Sequence, residues 1–220
     1  MTGARSHRPL LLGHRGARAR KSIPENTIAS FDQALADGCD GFEFDVRLTA
    51  DRKAVVCHDP DAAGVEIASA AAKQCAGLPR LEDVVERYSD RAFLDIELKV
   101  VGVEEATVQA VARSNVRRGL VVSSFLPDVL RVMRSIDSAI PLGLICETRA
   151  QLVRWTQLPI EYVIAERKLV TSALLEELKG AGKGIFVWTV NTRVEMERLR
   201  DRGVHGIISD DTDLLARTLN

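Results

Sequence analysis

The chain has 220 residues, of which 46% are hydrophobic and 28% are charged. This composition is that of one folded domain, and it excludes a disordered tail protein, a collagen and a small disulfide scaffold. The 30 basic residues nearly balance the 31 acidic ones, for a net charge of -1, so an anionic ligand must be held by a local site rather than by a global basic field.

Short apolar runs alternate with amphipathic segments along the whole chain, which is the pattern of a parallel sheet covered by helices. The predicted strands are 10–13, 41–48 with a hairpin-like extension at 54–58, 93–98, 120–124, 141–146, 162–165, 184–190 and 206–209. The predicted helices lie around 27–37, 81–88, 103–114, 127–136, 149–156, 171–181, 193–202 and 212–218. Eight strand–helix pairs favour an α/β fold of the closed (β/α)8 TIM-barrel type over an open doubly wound sheet.

We expect one barrel domain at residues 10–220, preceded by an N-terminal tail at residues 1–9. The alanine-rich segment 61–80 is a short active-site insertion, and its pattern leaves open whether residues 61–77 form a short helix or a loop. The tail carries no apolar run long enough for a signal peptide, and no run reaches the length of a membrane span. The four cysteines form no metal-binding pair and are expected to be small buried side chains. We therefore expect a cytoplasmic protein without an integral membrane segment, binding no nucleic acid.

Charged residues alternate with apolar ones in two predicted strands, so that one face of each strand is charged. The residues on that face are Glu43, Asp45, Arg47, Asp95, Glu97 and Lys99. Carboxylates facing a barrel interior lose hydration unless they are paired or bound to a metal, and their oxygens suit Mg²⁺ or Ca²⁺. From this alternation alone, a metal site and a structural network of salt bridges with Arg47 or Lys99 both remain open.

Two of the four histidines, His14 and His58, end predicted strands at the side of the barrel where such folds place their active sites. A single histidine at a strand end is more often a structural hydrogen-bonding group. Two imidazoles beside a carboxylate cluster favour a general acid and a general base instead. His7 and His205 fall in the tail and in a turn, and we assign them no role.

Several short motifs occur in a characteristic order and spacing. They are Gly13-His14-Arg15-Gly16, Pro24-Glu25-Asn26-Thr27, the segment 41–51, His58-Asp59-Pro60, and the later segments 81–84, 94–99, 123–125, 187–191 and 203–210. By these motifs the sequence resembles the glycerophosphodiester phosphodiesterase family. Only the stretch from about 127 to 182 is weakly matched.

The resemblance implies a TIM barrel that hydrolyses a glycerophosphodiester, a small-molecule substrate, to sn-glycerol 3-phosphate and an alcohol with one divalent metal ion, Mg²⁺ or Ca²⁺. By the same resemblance, Glu43, Asp45 and Glu97 are expected to bind the metal, and His14 and His58 to be the acid–base pair. Arg15 and Lys99 are expected to contact phosphate, and Trp188 to pack on glycerol. Glu25 matches a position near the metal, where it would bind the metal or orient His14. Which histidine is the acid, the oligomeric state and the head group stay open.

Three departures from the family pattern bear on substrate choice. The segment 61–80 is shorter than usual, Ser209-Asp210 replaces a usual Thr-Asp pair, and His205 and Asp211-Thr212-Asp213 alter a usual aspartate and proline nearby. Two alternatives to the leading function remain: a phospholipase D-like hydrolase of lysophospholipid or sphingolipid head groups, and a non-catalytic barrel that binds a phosphate ester.

Overall fold

A computed structural model describes residues 8–220 as an eight-stranded parallel barrel, so most of the expected tail lies outside the described residues. The strands in chain order are β1 Leu10–His14, β2 Gly41–Leu48, β3 Ala54–Val56, β4 Asp61–Ala62, β5 Val65–Glu66, β6 Phe93–Leu98, β7 Leu120–Ser124, β8 Leu142–Cys146, β9 Tyr162–Glu166, β10 Gly184–Trp188 and β11 Gly206–Ser209. The sheet runs in the order β1, β11, β10, β9, β8, β7, β6, β2, and it closes through pairing of β1 with β2. The predicted TIM barrel is confirmed.

Eight α-helices in the described chain follow the barrel strands. They are α1 Ile28–Ala36, α2 Leu81–Tyr88, α3 Glu104–Ser114, α4 Pro127–Ile136, α5 Arg149–Leu152, α6 Ser172–Gly180, α7 Arg193–Asp201 and α8 Thr212–Leu219. The predicted helix at 149–156 was too long, because α5 is a single turn that tightens into a 3-10 helix at Val153–Gln157. α1 begins where the Thr27 side chain accepts a hydrogen bond from the Ser30 backbone N–H.

The segment after β2 differs most from expectation. β3 pairs antiparallel with β2 and ends at Val56 rather than at residue 58, since only residues 46–48 of β2 pair with it. Residues 61–77 are neither one helix nor an open loop. β4 and β5, of two residues each, pair as a short antiparallel hairpin. Two 3-10 turns follow at Ile67–Ser69 and Ala72–Cys75. Ile67 and Cys75 are buried under these turns against Val55, which anchors the segment beside the mouth of the barrel.

Alternation along the strands separates two apolar regions. Phe42, Phe44 and Ile96 point outward from β2 and β6 and pack with the surrounding helices. The barrel interior holds a second cluster, formed by Leu12, Phe93, Val121, Ile145, Ile164, Phe186 and Ile208. This cluster fills the barrel below its carboxyl end, so the polar side chains further along the same strands lie above an apolar floor. No helix of the described chain is long and apolar enough to cross a bilayer.

Gly41 begins β2 at a point where no side chain fits. A Cβ at this position would lie 1.9 Å from the carbonyl oxygen of Phe93 on the neighbouring strand. We expect Gly41→Ala to lower the free energy of unfolding by about 3 kcal/mol, because the β2–β6 pairing must open to make room. Chemical denaturation measures this.

Gly180→Ala is the matched control, because Gly180 lies in the last turn of α6 and a Cβ there meets no atom within 4 Å. Alanine is the better helix former, so this variant should unfold at the same or a slightly higher denaturant concentration. Equal stability of the two variants would contradict the predicted close approach of β2 and β6.

Candidate active site

A cavity of about 290 Å³ opens at the carboxyl ends of the barrel strands. Its polar wall comes from β1, β2, β6 and the segments that follow them, and consists of His14, Arg15, Glu43, His58, Asp95, Glu97 and Lys99. Its apolar wall comes from the other half of the barrel, and consists of Phe125, Ile145, Ile164, Trp188 and Ile208. The cavity therefore joins a charged half to a half suited to carbon-bearing groups.

Three carboxylates meet at the polar wall because β2 and β6 are neighbours in register; Glu43 and Glu97 line the cavity, and Asp45 is fully buried beside them. Asp45 pairs with Glu97 across the two parallel strands, and Glu43 lies two residues earlier on the same face as Asp45. One oxygen from each of these three side chains lies within 4.8 Å of the others, and all three residues are buried. Such a set of hard oxygen donors fits a divalent cation of the Mg²⁺ or Ca²⁺ type.

Glu43 is the carboxylate with the least compensation. Its Oε2 accepts a hydrogen bond of 3.0 Å from the Arg15 backbone N–H. Its Oε1 is buried and has no hydrogen-bond partner among residues 8–220. Burial, together with the charges of Asp45 and Glu97, raises the pKa of Glu43 well above its usual range. A buried oxygen without a donor is what a bound cation would satisfy, so the residues present fit a metal ion.

Two cationic side chains and one amide group compensate part of the negative charge of the three carboxylates. The Lys99 ammonium lies 2.8 Å from Glu97 Oε1 and 3.2 Å from Asp45 Oδ1. The Arg15 guanidinium lies 3.2 Å from Asp45 Oδ2, to which the Asn26 amide also donates a hydrogen bond of 2.8 Å. Although burial alone would raise it, Lys99 and Arg15 lower the pKa of Asp45. Lys99 and Arg15 thus reach the carboxylates and line the cavity at the same time.

At Glu97 and at Asp95, burial raises the pKa by more than neighbouring donors and cations lower it. Desolvation, together with the charge of Asp45, raises the pKa of Glu97 to about 7. Asp95 lies deeper in the barrel, where desolvation raises its pKa to about 7 although Ser123 donates a hydrogen bond of 2.6 Å to it. Burial thus opposes ionisation of both carboxyl groups, and a bound cation would favour the charged form of Glu97.

His14 and His58 both line the cavity, but in different surroundings. His14 ends β1 and is only 9% exposed. Its Nδ1 lies 2.7 Å from Asp210 Oδ1, and its Nε2 lies 3.9 Å from Glu43 Oε2. The His58 side chain is 34% exposed, and its Nδ1 lies 2.7 Å from a carboxylate oxygen of Asp59. Each imidazole thus has one nitrogen engaged by a carboxylate, which leaves Nε2 for a reacting group.

Trp188 stands at the end of β10 in the apolar wall. Its indole Nε1 donates a hydrogen bond of 3.1 Å to the Ile164 carbonyl oxygen, and its ring meets Phe125 edge to face with centroids 5.8 Å apart. Phe125 in turn lies 5.9 Å from the Lys99 ammonium. These contacts hold a flat aromatic surface against the polar wall.

Glu25 lies beside the cavity but contacts cations rather than the carboxylate cluster. Its two oxygens accept hydrogen bonds from Arg15, at 2.7 Å, and from Arg18, at 2.6 Å. The carboxylate that meets His14 is Asp210. Arg15 contacts both Glu25 and Asp45, so Glu25 reaches the carboxylate cluster only through Arg15.

Sequence reasoning missed three polar residues that support the site. They are Asn26, Asn191 and Asp210. All three lie within the sequence motifs, but no separate role was assigned to them. A signal was available, since Asp210 directly follows β11 and Asn191 lies three residues after β10, but the pairing of Asp210 with His14 joins residues 196 positions apart.

A family model described as the glycerophosphoryl diester phosphodiesterase family matches residues 14–66 and 66–214. The chain is 30% identical to a glycerophosphodiester phosphodiesterase of Caldanaerobacter subterraneus subsp. tengcongensis, and the match covers 94% of this chain and 96% of the relative.

Solved structures give the same picture of the fold. The crystal structure of a glycerophosphodiester phosphodiesterase from Thermotoga maritima superposes with a TM-score of 0.83 and 26% identity, over 96% of this chain and 98% of that one. A phosphodiesterase from Oleispira antarctica, solved in complex with its product sn-glycerol-3-phosphate, superposes with a TM-score of 0.78 and 23% identity, over 97% of each chain.

Three neighbouring buried carboxylates should lower the free energy of unfolding of the metal-free protein, and a bound metal ion should raise it again. In metal-free protein, we expect Glu43→Gln to raise the melting temperature by about 2–4 °C, or about 1 kcal/mol, because a neutral amide removes the repulsion from Asp45 and Glu97 and its NH2 group donates where an oxygen without a donor stood. Addition of Mg²⁺ or Ca²⁺ should stabilise the wild type and not this variant. Thermal unfolding with and without a chelator measures both effects.

Glu147→Gln is the matched control, because Glu147 lines the rim of the same cavity but is exposed. It should melt with the wild type and keep the stabilisation by metal. A Glu43→Gln protein that melts lower than the wild type without metal, or that gains as much stability from metal, would contradict the interpretation of this cluster.

Proposed function

The chain belongs to the glycerophosphoryl diester phosphodiesterase family, and we propose that it hydrolyses glycerophosphodiesters to sn-glycerol 3-phosphate and an alcohol, using a divalent metal ion and two histidines. The observation that carries the proposal is a buried three-carboxylate cluster, two members of which line the same cavity as His14 and His58. A phosphodiester needs charge neutralisation at phosphorus and two proton transfers, and the cavity holds groups for each.

Glu43, Asp45 and Glu97 would hold the metal ion, and the ion would supply positive charge that offsets the negative charge of the phosphodiester. Arg15 and Lys99 line the same cavity with their charged groups fixed by ion pairs. Because these side chains are already positioned, they bind the phosphate anion without further loss of side-chain freedom. Mg²⁺ and Ca²⁺ both suit an all-oxygen donor set.

The two histidines provide the proton transfers. One imidazole takes the proton of the attacking hydroxyl, from water or from the glycerol 2-hydroxyl, and the other gives a proton to the departing alkoxide. In both, the nitrogen Nδ1 is occupied by a carboxylate, Asp210 for His14 and Asp59 for His58. Nε2 is therefore the nitrogen that exchanges protons with the substrate in each case.

The apolar wall provides a place for the glycerol carbons. Trp188 and Phe125 present aromatic surface opposite the charged wall, and Ile145, Ile164 and Ile208 extend the apolar wall between them and the barrel interior. A three-carbon alcohol fits a cavity of about 290 Å³ with its phosphate directed toward Arg15 and Lys99. This division of the cavity supports glycerol 3-phosphate as the product.

Activity is tested with glycerophosphocholine, glycerophosphoethanolamine and bis(p-nitrophenyl) phosphate, each with Mg²⁺, Ca²⁺ or EDTA. We expect turnover that EDTA abolishes and that His14→Ala lowers by at least about 100-fold, since an acid–base group is lost. His205→Gln is the control, because His205 lies before β11 at the opposite end of the barrel. Full activity of the His14→Ala enzyme, or of the enzyme in EDTA, would overturn the mechanism.

The same assay separates the two alternatives. Turnover of lysophosphatidylcholine in preference to the glycerophosphodiesters would point to a phospholipase D-like enzyme. Tight binding of glycerol 3-phosphate without turnover of any diester would point to a non-catalytic barrel.

The position of Trp188 in the apolar wall predicts that its substitution changes KM more than kcat. Trp188→Phe should raise KM for glycerophosphodiesters about threefold to tenfold with little change in kcat, because the ring contacts the bound glycerol and not the reacting atoms. Trp155→Phe is the control, since Trp155 lies in the 3-10 helix after α5, is buried in the core outside the barrel and does not line the cavity. Steady-state kinetics that show an unchanged KM for Trp188→Phe would remove Trp188 from the substrate site.

A further inference from the structure

His14 and His58 differ in how firmly each imidazole is held. Both oxygens of Asp210 have donors besides His14: Asn191 Nδ2 donates to Oδ2 at 2.7 Å, and Arg18 donates to Oδ1 at 3.2 Å. The Asp210 backbone N–H also donates to Asn191 Oδ1, and its carbonyl oxygen accepts from the Ala19 N–H. Two donors besides His14 therefore fix the carboxylate of Asp210, and two further hydrogen bonds fix its backbone.

Asp210 is also held in its charged form. Although burial opposes ionisation, hydrogen bonds from His14, Asn191 and Arg18 hold the pKa of Asp210 well below its usual range. An ionised carboxylate accepts hydrogen bonds and cannot donate them, so the proton between Asp210 and His14 Nδ1 belongs to the histidine. In neutral His14, Nε2 then carries a lone pair, on the side where Glu43 Oε2 lies 3.9 Å away.

His58 occupies the junction of two spaces. It lines the active-site cavity, and it also lines a second groove of about 400 Å³, bordered by Glu25, Asp61 and Leu78. His14 lines only the first of these. The alcohol of a phosphodiester is the part that varies in size, so it fits the larger groove, whereas the three carbons of glycerol fit the smaller cavity between the charged and apolar walls. This places the leaving oxygen beside His58.

Attacking and leaving oxygens lie on opposite sides of phosphorus in a phosphoryl transfer. With the leaving oxygen beside His58, the attacking oxygen lies toward His14, at the inner side of the cavity. A base there must present a lone pair and must be stabilised once it is protonated. An anionic partner on Nδ1 does both, because it fixes the tautomer and neutralises the imidazolium that forms.

We propose that Asp210 is a positioning residue that commits His14 to the role of general base, so that His58 is the general acid that protonates the leaving alcohol. This inference rests on the proposed function. His14 Nε2 takes the proton of the attacking hydroxyl as its oxygen bonds to phosphorus. The bond from phosphorus to the leaving oxygen breaks, its electron pair stays on that oxygen, and His58 Nε2 gives it a proton. Transfer of one proton between the histidines through solvent restores the enzyme.

Leaving groups of different basicity distinguish the two roles. Ethanolamine must be protonated as it departs from glycerophosphoethanolamine, whereas 4-nitrophenolate departs without a proton from the 4-nitrophenyl ester of glycerol 3-phosphate. We expect Asp210→Asn to lower kcat by about 10²–10⁴-fold on both substrates with little change in KM, since the tautomer of the base is lost. His58→Ala should lower kcat by a similar factor on the ethanolamine ester and by less than about tenfold on the nitrophenyl ester.

Asp211→Asn is the matched control. Asp211 is the next residue, and its side chain caps α8 by accepting a hydrogen bond of 3.0 Å from the Leu214 N–H, which asparagine does equally well. It should turn over both substrates within about twofold of the wild type. An Asp210→Asn enzyme as active as this control, or one that recovers on the nitrophenyl ester while His58→Ala does not, would overturn the proposal.

Nitrogen-15 NMR of the histidine rings gives a readout that does not depend on turnover. We expect neutral His14 of the wild type to carry its proton on Nδ1, and Asp210→Asn to shift the population toward the Nε2-protonated tautomer. Identical His14 ring shifts in the two folded proteins would overturn the positioning role. Wild-type protein that hydrolyses neither ester would instead overturn the proposed function, while the NMR result would still decide whether Asp210 sets the tautomer.

Discussion

Burial of three carboxylates side by side at the mouth of a closed barrel is the constraint on which the rest of the site depends. Glu43, Asp45 and Glu97 repel one another, and the protein interior weakens their hydration. The chain offsets part of this cost with Lys99 and Arg15, but it leaves Glu43 Oε1 without a donor. The uncompensated negative charge and the oxygen donors of this site are suited to a divalent cation.

The same neutralising groups also prepare the site for an anion. Lys99 and Arg15 are held by the carboxylates, so each presents its charge at a fixed place in the cavity rather than sampling many rotamers. Arg15 is further tied to Glu25, which also holds Arg18, and Arg18 reaches Asp210. One chain of ion pairs thus connects the carboxylate cluster to the partner of His14, and a change in any member is expected to reach the others.

Strand alternation carried most of what could be predicted about the fold and the site. The inward positions of β2 and β6 were correctly placed because their outward neighbours, such as Phe44 and Ile96, are apolar without exception. The segment 61–77 was not predictable, because its alanines have little preference and its structure comes from the burial of Ile67 and Cys75 against Val55. Asp210 was not predictable as the partner of His14, since closure of the barrel through β1 and β11 brings them together.

The sequence by itself determined a near-neutral chain with eight strand–helix units, and the carboxylates, histidines and cations that carry the family resemblance. Periodicity within a strand is a local property, so these features can be predicted from the sequence without a structure. Only the tertiary structure decided which of those residues touch: Lys99 with Asp45 and Glu97, Glu25 with Arg15 and Arg18, and Asp210 with His14. Pairing of β2 with β6 brings Lys99 to Asp45, and pairing of β1 with β11 brings Asp210 to His14, so neither contact can be inferred from the pattern within one strand.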